Sequence, residues 1–209
     1  VLTPTRELAD QIDQNVQAYI KNLPLRHTVL FGGVNMDKQT ADLRAGCEIV
    51  VATVGRLLDH VKQKNINLNK VEIVVLDEAD RMLDMGFIDD IRKIMQMLPK
   101  QRQTLLFSAT FSPPIRKLAQ DFMHTPEMVE VAAQNTTNAN VEQHIIAVDA
   151  LKKRNLLERL IVDLHMNQVI VFCKTKQSVD QVTRDLVRRH IAAQSIHGDK
   201  SQQSRLETL

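Results

Sequence analysis

Three carboxylates crowd into four residues at Asp77-Glu78-Ala79-Asp80, directly after the apolar run Val74-Val75-Leu76. Charge set against a buried strand is costly to hold, so a cluster of it points to a use. In an α/β sheet, ligands bind in the crevice outside the carboxyl ends of the strands. A carboxylate pair placed there could hold Mg²⁺ and orient a water for attack on a phosphate. On residue types alone, a solvated acidic loop after a core strand explains the same spelling.

The run before these acids is one of six, each ending in small or polar residues. Val1-Leu2 leads into Thr3-Pro4-Thr5, Val29 to Phe31 into Gly32-Gly33, and Ile49 to Ala52 into Thr53. Ile73 to Leu76 leads into Asp77, Leu105 to Phe107 into Ser108-Ala109-Thr110, and Val169 to Cys173 into Lys174-Thr175. Runs apolar on both faces suit parallel strands covered by helices on each side. Helical spacing recurs between them: Glu7 to Leu23 before Pro24, Phe87 to Leu98, Leu151 to Leu164 and Ser178 to His190. Ser112-Pro113-Pro114 reads as a helix start, with Ser as cap and Pro in the first turn. Alternating strand and helix predict a doubly wound α/β sheet whose strand tips share one edge.

Residues 132–140, Ala-Ala-Gln-Asn-Thr-Thr-Asn-Ala-Asn, break this rhythm and read as an interdomain linker. The chain is thus expected to hold a first domain over 1–131 and the beginning of a second over 141–209, opened by a strand at His144 to Val148. Residues 1–131 carry 16 Lys/Arg against 17 Asp/Glu, and the remainder 11 against 8. Any nucleic-acid contact must therefore come from placed residues rather than bulk charge. Aromatic residues make up 3 % with no Trp, which argues against base stacking as the main grip. Cys47 and Cys173 lie in or beside apolar runs, outside any metal-ligand spacing, and are expected to be reduced, buried thiols of a cytoplasmic protein. No apolar run approaches a membrane span. The chain opens on Val1 and closes in a helix-like pattern at Leu209, as an internal fragment of a longer protein would.

Taken in order, the polar tips spell a family. Pro4-Thr5-Arg6-Glu7-Leu8-Ala9, Gly32-Gly33, Thr53-Val54-Gly55-Arg56, Asp77-Glu78-Ala79-Asp80 and Ser108-Ala109-Thr110 resemble motifs Ia, the glycine doublet, Ib, II and III of the DEAD-box RNA helicases. Val169 to Thr175 is similar to motif IV, and Ile196-His197-Gly198-Asp199 with Gln202 and Arg205 to the conserved block after it. The run Asp80 to Phe87 resembles the bacterial RhlE-like branch. The resemblance implies two RecA-like doubly wound parallel-sheet domains, both incomplete here, acting as a monomeric core on ATP, Mg²⁺ and RNA. Val54 stands where the family has Pro; Val can adopt an extended conformation there, so a mild effect on RNA grip is expected. The sequence contains no Gly-x-x-x-x-Gly-Lys-[Ser/Thr] phosphate loop; Gly198-Asp199-Lys200-Ser201 lacks the first Gly and the Gly-Lys step. The family's phosphate loop and adenine-recognising Q motif would lie before Val1, and its motif VI beyond Leu209.

The resemblance also assigns roles. Asp77 would stand on the Mg²⁺ side through water, Glu78 would orient or deprotonate the attacking water, and Asp80 would fasten motif II to Ser108-Ala109-Thr110. A helix-capping hydroxyl pair is the plainer reading of Ser108 and Thr110. Pro4, Thr5, Arg6, Gly32, Gly33, Thr53, Gly55 and Arg56 would form the RNA edge of the first domain, gripping phosphates without reading sequence. Thr175, His197, Gly198, Asp199, Gln202 and Arg205 would do so in the second, although His197 serves equally as a turn residue and Phe172 as core. Met82, Met85, Met95 and Met97 are expected to fill core or interface. The implied activity is ATP-driven local unwinding of RNA or remodelling of its complexes, with the fragment itself inactive. A DNA-directed helicase or translocase, or a non-catalytic RNA-binding scaffold, are the alternatives.

Overall fold

The computed structural model describes residues 1–130 and 141–208. The linker expected at 132–140 lies outside the described residues. The chain divides into two compact units, one on either side of residues 131–140.

The first unit holds five strands: β1 (Leu2–Thr3), β2 (His27–Leu30), β3 (Ile49–Thr53), β4 (Ile73–Leu76) and β5 (Gln103–Leu106). They pair only in parallel, in the order β2-β3-β1-β4-β5. Its helices are α1 (Arg6–Ile20), α2 (Met36–Ala45), α3 (Val54–Lys62), α4 (Ala79–Asp84), α5 (Ile88–Met97) and α6 (Pro113–Phe122). The crossover from β1 to β2 runs one way along the sheet, and those to β3, β4 and β5 run the other way. Right-handed crossovers then force α1 onto one face and α2, α3, α4 and α5 onto the other. The core divides accordingly. Ala9 and Ile12 of α1 meet Val29, Phe31 and Val51, while Leu2, Leu30, Ala52, Val74 and Leu76 meet the remaining helices. Neighbouring residues such as Val51 and Ala52 point to opposite faces, which is why β3 and β4 are apolar on both faces. Leu30, Leu76, Ile91 and Ile94 are sealed from solvent, each stabilising the unit by about 2 kcal/mol.

Three helices, α2, α3 and α4, were not among those expected, although α3 carries Val54, Leu57, Leu58 and Val61 at helical spacing. Helix α3 corrects the expectation for Val54. Rather than extended, it is the first helical residue and fully buried, with Thr53 as the extended cap residue. That is the position where proline is favoured, so Val replaces it without a change of backbone. Gly55 follows inside the helix, where an added Cβ would meet no atom within 4 Å. Ser112 is the cap residue of α6, with proline in its first turn. Met82 and Met95 are core residues, whereas Met85 and Met97 lie on the surface.

The second unit contains a 3₁₀ turn at Ala150–Lys152 and helices α7 (Lys153–Asp163), α8 (Lys176–Arg188) and α9 (Gln202–Thr208). The strands expected at Val169 to Cys173 and His144 to Val148 do not form. Phe172, expected in the core, is 92 % exposed, and Ile145 is fully so. Apolar composition suits these runs to a strand, but a strand also needs a neighbour offering N–H and C=O groups in register. No described segment of this unit does so. Five of the six polar tips therefore belong to a sheet edge, and the tip at Lys174-Thr175 does not. Cys47 and Cys173 are both unpaired and half-buried rather than buried.

Gly33 has φ +82°, and a Cβ there would collide with the Arg6 guanidinium. A left-handed residue with a side chain costs about 1–2 kcal/mol. Gly33→Ala should lower stability to denaturant by about that amount, whereas Gly55→Ala, in a helix facing open space, should be neutral or stabilising by about 0.5–1 kcal/mol. Parallel urea titrations of the two variants check this ordering.

Candidate functional site

The carboxyl ends of all five strands lie along one edge. Thr3 is level with Thr53, and Leu2 is level with both Ala52 and Leu76, so Asp77 begins one residue beyond the ladder. The chain leaves β1 toward one side of the sheet and crosses from β3 to the other. The crevice beside β1 is thus a topological switch point, the place where α/β sheets bind ligands.

The acidic loop is stitched across three strands. Asp77 N–H donates to Leu2 O at 2.9 Å, Phe107 N–H to Leu76 O at 2.8 Å, and Ala79 N–H to Phe107 O at 3.0 Å. Glu78 is exposed and adopts left-handed φ and ψ of 51° and 52° at the start of α4. A side-chain-bearing residue held in that region marks a site where the fold pays for a particular orientation. One Asp77 oxygen accepts the Glu78 N–H at 2.9 Å, which fixes the Asp77 carboxylate against the turn.

Asp80 turns the other way, toward the tip of β5. Its Oδ2 accepts the Thr110 N–H at 2.9 Å and the Thr110 hydroxyl at 3.0 Å, and its Oδ1 accepts the Arg81 N–H at 3.0 Å. The Ser108 hydroxyl donates its one proton to Thr110 O at 2.7 Å and so bends this tip back toward Asp80. Partial burial pushes the Asp80 carboxyl up, but the bonds from the Thr110 hydroxyl and from the Arg81 and Thr110 N–H groups outweigh it and hold it below the usual carboxylate range. Neither Ser108 nor Thr110 caps a helix, since Ser112 occupies that position in α6.

Farther along the edge lie the candidate phosphate contacts. Thr5 caps α1, accepting the Leu8 N–H at 3.3 Å, and Thr3 donates to Thr5 O at 3.1 Å, which fixes Pro4 between them. The Arg6 and Arg56 guanidinium groups converge on Gly32, 3.8 and 3.9 Å from where its Cβ would stand. Arg56 also donates to Val34 O at 3.4 Å and to Gln39 Oε1 at 3.1 Å. Thr53 donates to Leu30 O at 3.4 Å. Gln39 of α2 and the buried His60 of α3, which meet at 3.1 Å, were not among the sequence-based candidates. No signal in the sequence singles out Gln39, which lies on a helix with little apolar character, and His60 shows only as a polar residue beside the apolar stripe of α3.

The second-unit candidates are partly committed to one another. Thr175 caps α8, accepting the Ser178 N–H at 3.1 Å. His197 bonds Asp180 through Nε2 at 3.1 Å and accepts the Asp199 N–H on Nδ1 at 3.3 Å, so both ring nitrogens are engaged in fixing this turn. Asp199 pairs with Lys176, whose stem lies against Gly198. Gln202 opens α9 and Arg205 sits in its last turn.

Residues 1–118 match the family model for the DEAD/DEAH box helicase. The chain belongs to that family. Residues 152–209 match the helicase conserved C-terminal domain. Among curated relatives, the ATP-dependent RNA helicase CshA of Listeria monocytogenes is 41 % identical over the whole chain and 40 % of its own length. The DEAD-box ATP-dependent RNA helicase CshA of Bacillus subtilis is 42 % identical over the whole chain and 42 % of its own. The chain thus spans less than half of the relatives it matches. The crystal structure of a DEAD box protein from the hyperthermophile Methanococcus jannaschii superposes with a TM-score of 0.60 at 36 % identity, covering 99 % of this chain and 55 % of that one. The fold is accordingly RecA-like α/β. Among the described residues no helix is long and apolar enough to cross a membrane.

The Asp80 bonds require the carboxylate. A carboxyl held below its ordinary value of 3.8 stabilises the fold fully above that pH, and the contribution is lost as pH falls through the lowered value. Asp80→Asn should therefore cost about 1 kcal/mol at neutral pH, with the gap from wild type closing below about pH 4. Thermal unfolding across that range measures it.

Proposed function

We propose that this chain carries the water-activating and RNA-gripping parts of an ATP-dependent RNA helicase core. The observation that carries the reading is one sheet edge on which the Asp77-Glu78 pair and the Arg6, Gly33 and Arg56 cluster stand together, with Asp80 bonded to Thr110 beside them. ATP would bind against the acidic end of the edge and single-stranded RNA along its cationic end.

Glu78, exposed and held in one backbone orientation, orients the attacking water and takes its proton. Asp77 would hold, through water, the Mg²⁺ that accompanies ATP, an ion that neutralises phosphate charge when bound. Among the described residues no group of three or more His, Cys, Asp or Glu side chains could hold a metal. The Asp77 and Glu78 carboxylates would suit an ion which takes most of its ligands from water and phosphate. Asp80 moves with the acidic loop, and its bonds to Thr110 convey a shift of that loop to the tip of β5. Coupling of this kind needs two arrangements of a connected element, and the Ser108-Ala109-Thr110 tip supplies the element.

On the RNA side, Thr5, Arg6, Thr53 and Arg56 offer donors to phosphate oxygens, Gly32-Gly33 let the Arg6 guanidinium lie against the loop, and Gly55 leaves the backbone open to close approach. Contacts to ribose hydroxyls would favour RNA over DNA. Thr175, Gly198, Gln202 and Arg205 extend the grip from the second unit, with Asp199 and His197 shaping its turn. Such a surface binds without sequence preference, so duplex disruption follows from strand bending as two domains close on ATP and RNA. The unpaired Cys47 and Cys173 support a reducing, cytoplasmic setting, and the reading takes the core to act as a monomer.

The 209-residue chain, holding no phosphate loop in its sequence, should show no Mg²⁺-dependent ATP turnover above background. Turnover that disappears in Glu78→Gln would contradict this. In the full-length protein, Glu78→Gln should abolish RNA-stimulated ATP hydrolysis while preserving ATP-dependent RNA binding. Unchanged turnover would remove Glu78 from its role, and equal stimulation by DNA would favour a DNA-directed enzyme.

A further inference from the structure

A buried polar chain runs beneath the cationic edge. Gln39 is 5 % exposed and His60 is fully enclosed. Gln39 Nε2 donates to Phe31 O at 3.0 Å, and its Oε1 faces both Arg56 Nη1 and His60 Nε2 at 3.1 Å. Asn65 Nδ2 lies 3.2 Å from His60 Nδ1 and 3.2 Å from Thr40 Oγ1. An amide nitrogen only donates, so His60 Nδ1 accepts and the ring proton sits on Nε2, aimed at Gln39 Oε1. Burial, followed by the nearby Arg56 charge, pushes the His60 pKa below its ordinary value and keeps the ring neutral. With these assignments the Gln39 amide cannot flip, because its oxygen must face two donors and its nitrogen the Phe31 carbonyl.

Apolar side chains would fill this space without the cost of desolvating an amide and an imidazole. What the polar chain adds is direction. Phe31 immediately precedes Gly32-Gly33, and Val34, the second acceptor of Arg56, immediately follows it. Gln39 and Arg56 therefore hold the glycine loop from both sides, and His60 fixes Gln39. Fixing a guanidinium before a ligand arrives removes part of the ordering cost of binding.

We propose that Gln39 and His60 are positioning residues: the neutral His60 locks the Gln39 amide, which sets Arg56 and the Gly32-Gly33 loop to receive RNA phosphates. This rests on the reading of the edge as an RNA site given above. The test is the affinity of the 209-residue chain for a fluorescein-labelled single-stranded oligouridylate, read by fluorescence anisotropy, with circular dichroism to confirm folding. Gln39→Leu and Arg56→Ala should each weaken binding about fivefold, and the double variant should lose clearly less than the product of the two single losses, because part of the Gln39 effect acts through Arg56. Equal losses from Gln39→Leu in the wild-type and Arg56→Ala backgrounds would overturn the proposal, as would no loss from Gln39→Leu in a folded chain. If the Leu variant fails to fold, His60→Gln and His60→Asn decide. The Gln amide reaches the Nε2 position and should keep wild-type affinity, and the Asn amide stops at Nδ1 and should not. Indistinguishable affinities for that pair overturn the proposal. Arg56→Ala binding as tightly as wild type would instead remove the RNA-edge reading itself, and the proposal with it.

Discussion

Parallel pairing around a central two-residue strand is the constraint from which the rest follows. β1 is short, yet it joins β3 on one side and β4 on the other. Because every strand runs the same way, the residues that end them must meet on one edge. Residues separated by a hundred positions in sequence, such as Thr5 and Ser108, thereby share a surface. Right-handed crossovers fix the helices to their faces and leave that edge free of them. An antiparallel arrangement of the same strands would have dispersed the same residues between two edges.

Along the edge, Asp80 and Arg56 are held by bonds to other elements rather than by their own turns alone. Ala79 is bonded to Phe107, Asp80 to Thr110, and Arg56 to Gln39 and Val34. The acidic and cationic regions are therefore parts of one connected rim. Exposed charges of this kind contribute little to stability individually. The stability comes from the leucines and isoleucines beneath, which leaves the rim free to be specified for orientation.

Much of this was legible in the sequence, for identifiable reasons. Val74 to Leu76 and Ile49 to Ala52 are apolar on both faces, so parallel strands were the economical reading. Helices α1, α5 and α6 announce themselves by apolar spacing and, in α6, by Ser112 and proline. Helix α2 carries a weak apolar stripe, with Leu43 its only buried large apolar residue, and α3 begins at a Val-Gly pair that resembles a turn. Gln39 and His60 were illegible because a polar residue inside a core has meaning only through partners brought there by the fold. The second unit shows the converse. Val169 to Cys173 has strand composition, but pairing is a property of two segments, and composition reports on only one. In the acidic cluster the residue types alone did not separate the three carboxylates, but the family resemblance implied a link from Asp80 to the Ser108-Ala109-Thr110 tip, and the fold bonds Asp80 to Thr110.

The central claim is that one strand-tip edge receives RNA. Photo-crosslinking of the 209-residue chain to a single-stranded RNA bearing 4-thiouridine, with adducts mapped by mass spectrometry, tests it directly. Adducts concentrated at residues 3–6, 31–34 and 53–56 are predicted. Adducts concentrated at the opposite ends of the strands, around residues 25–28, 69–73 and 100–103, would contradict it.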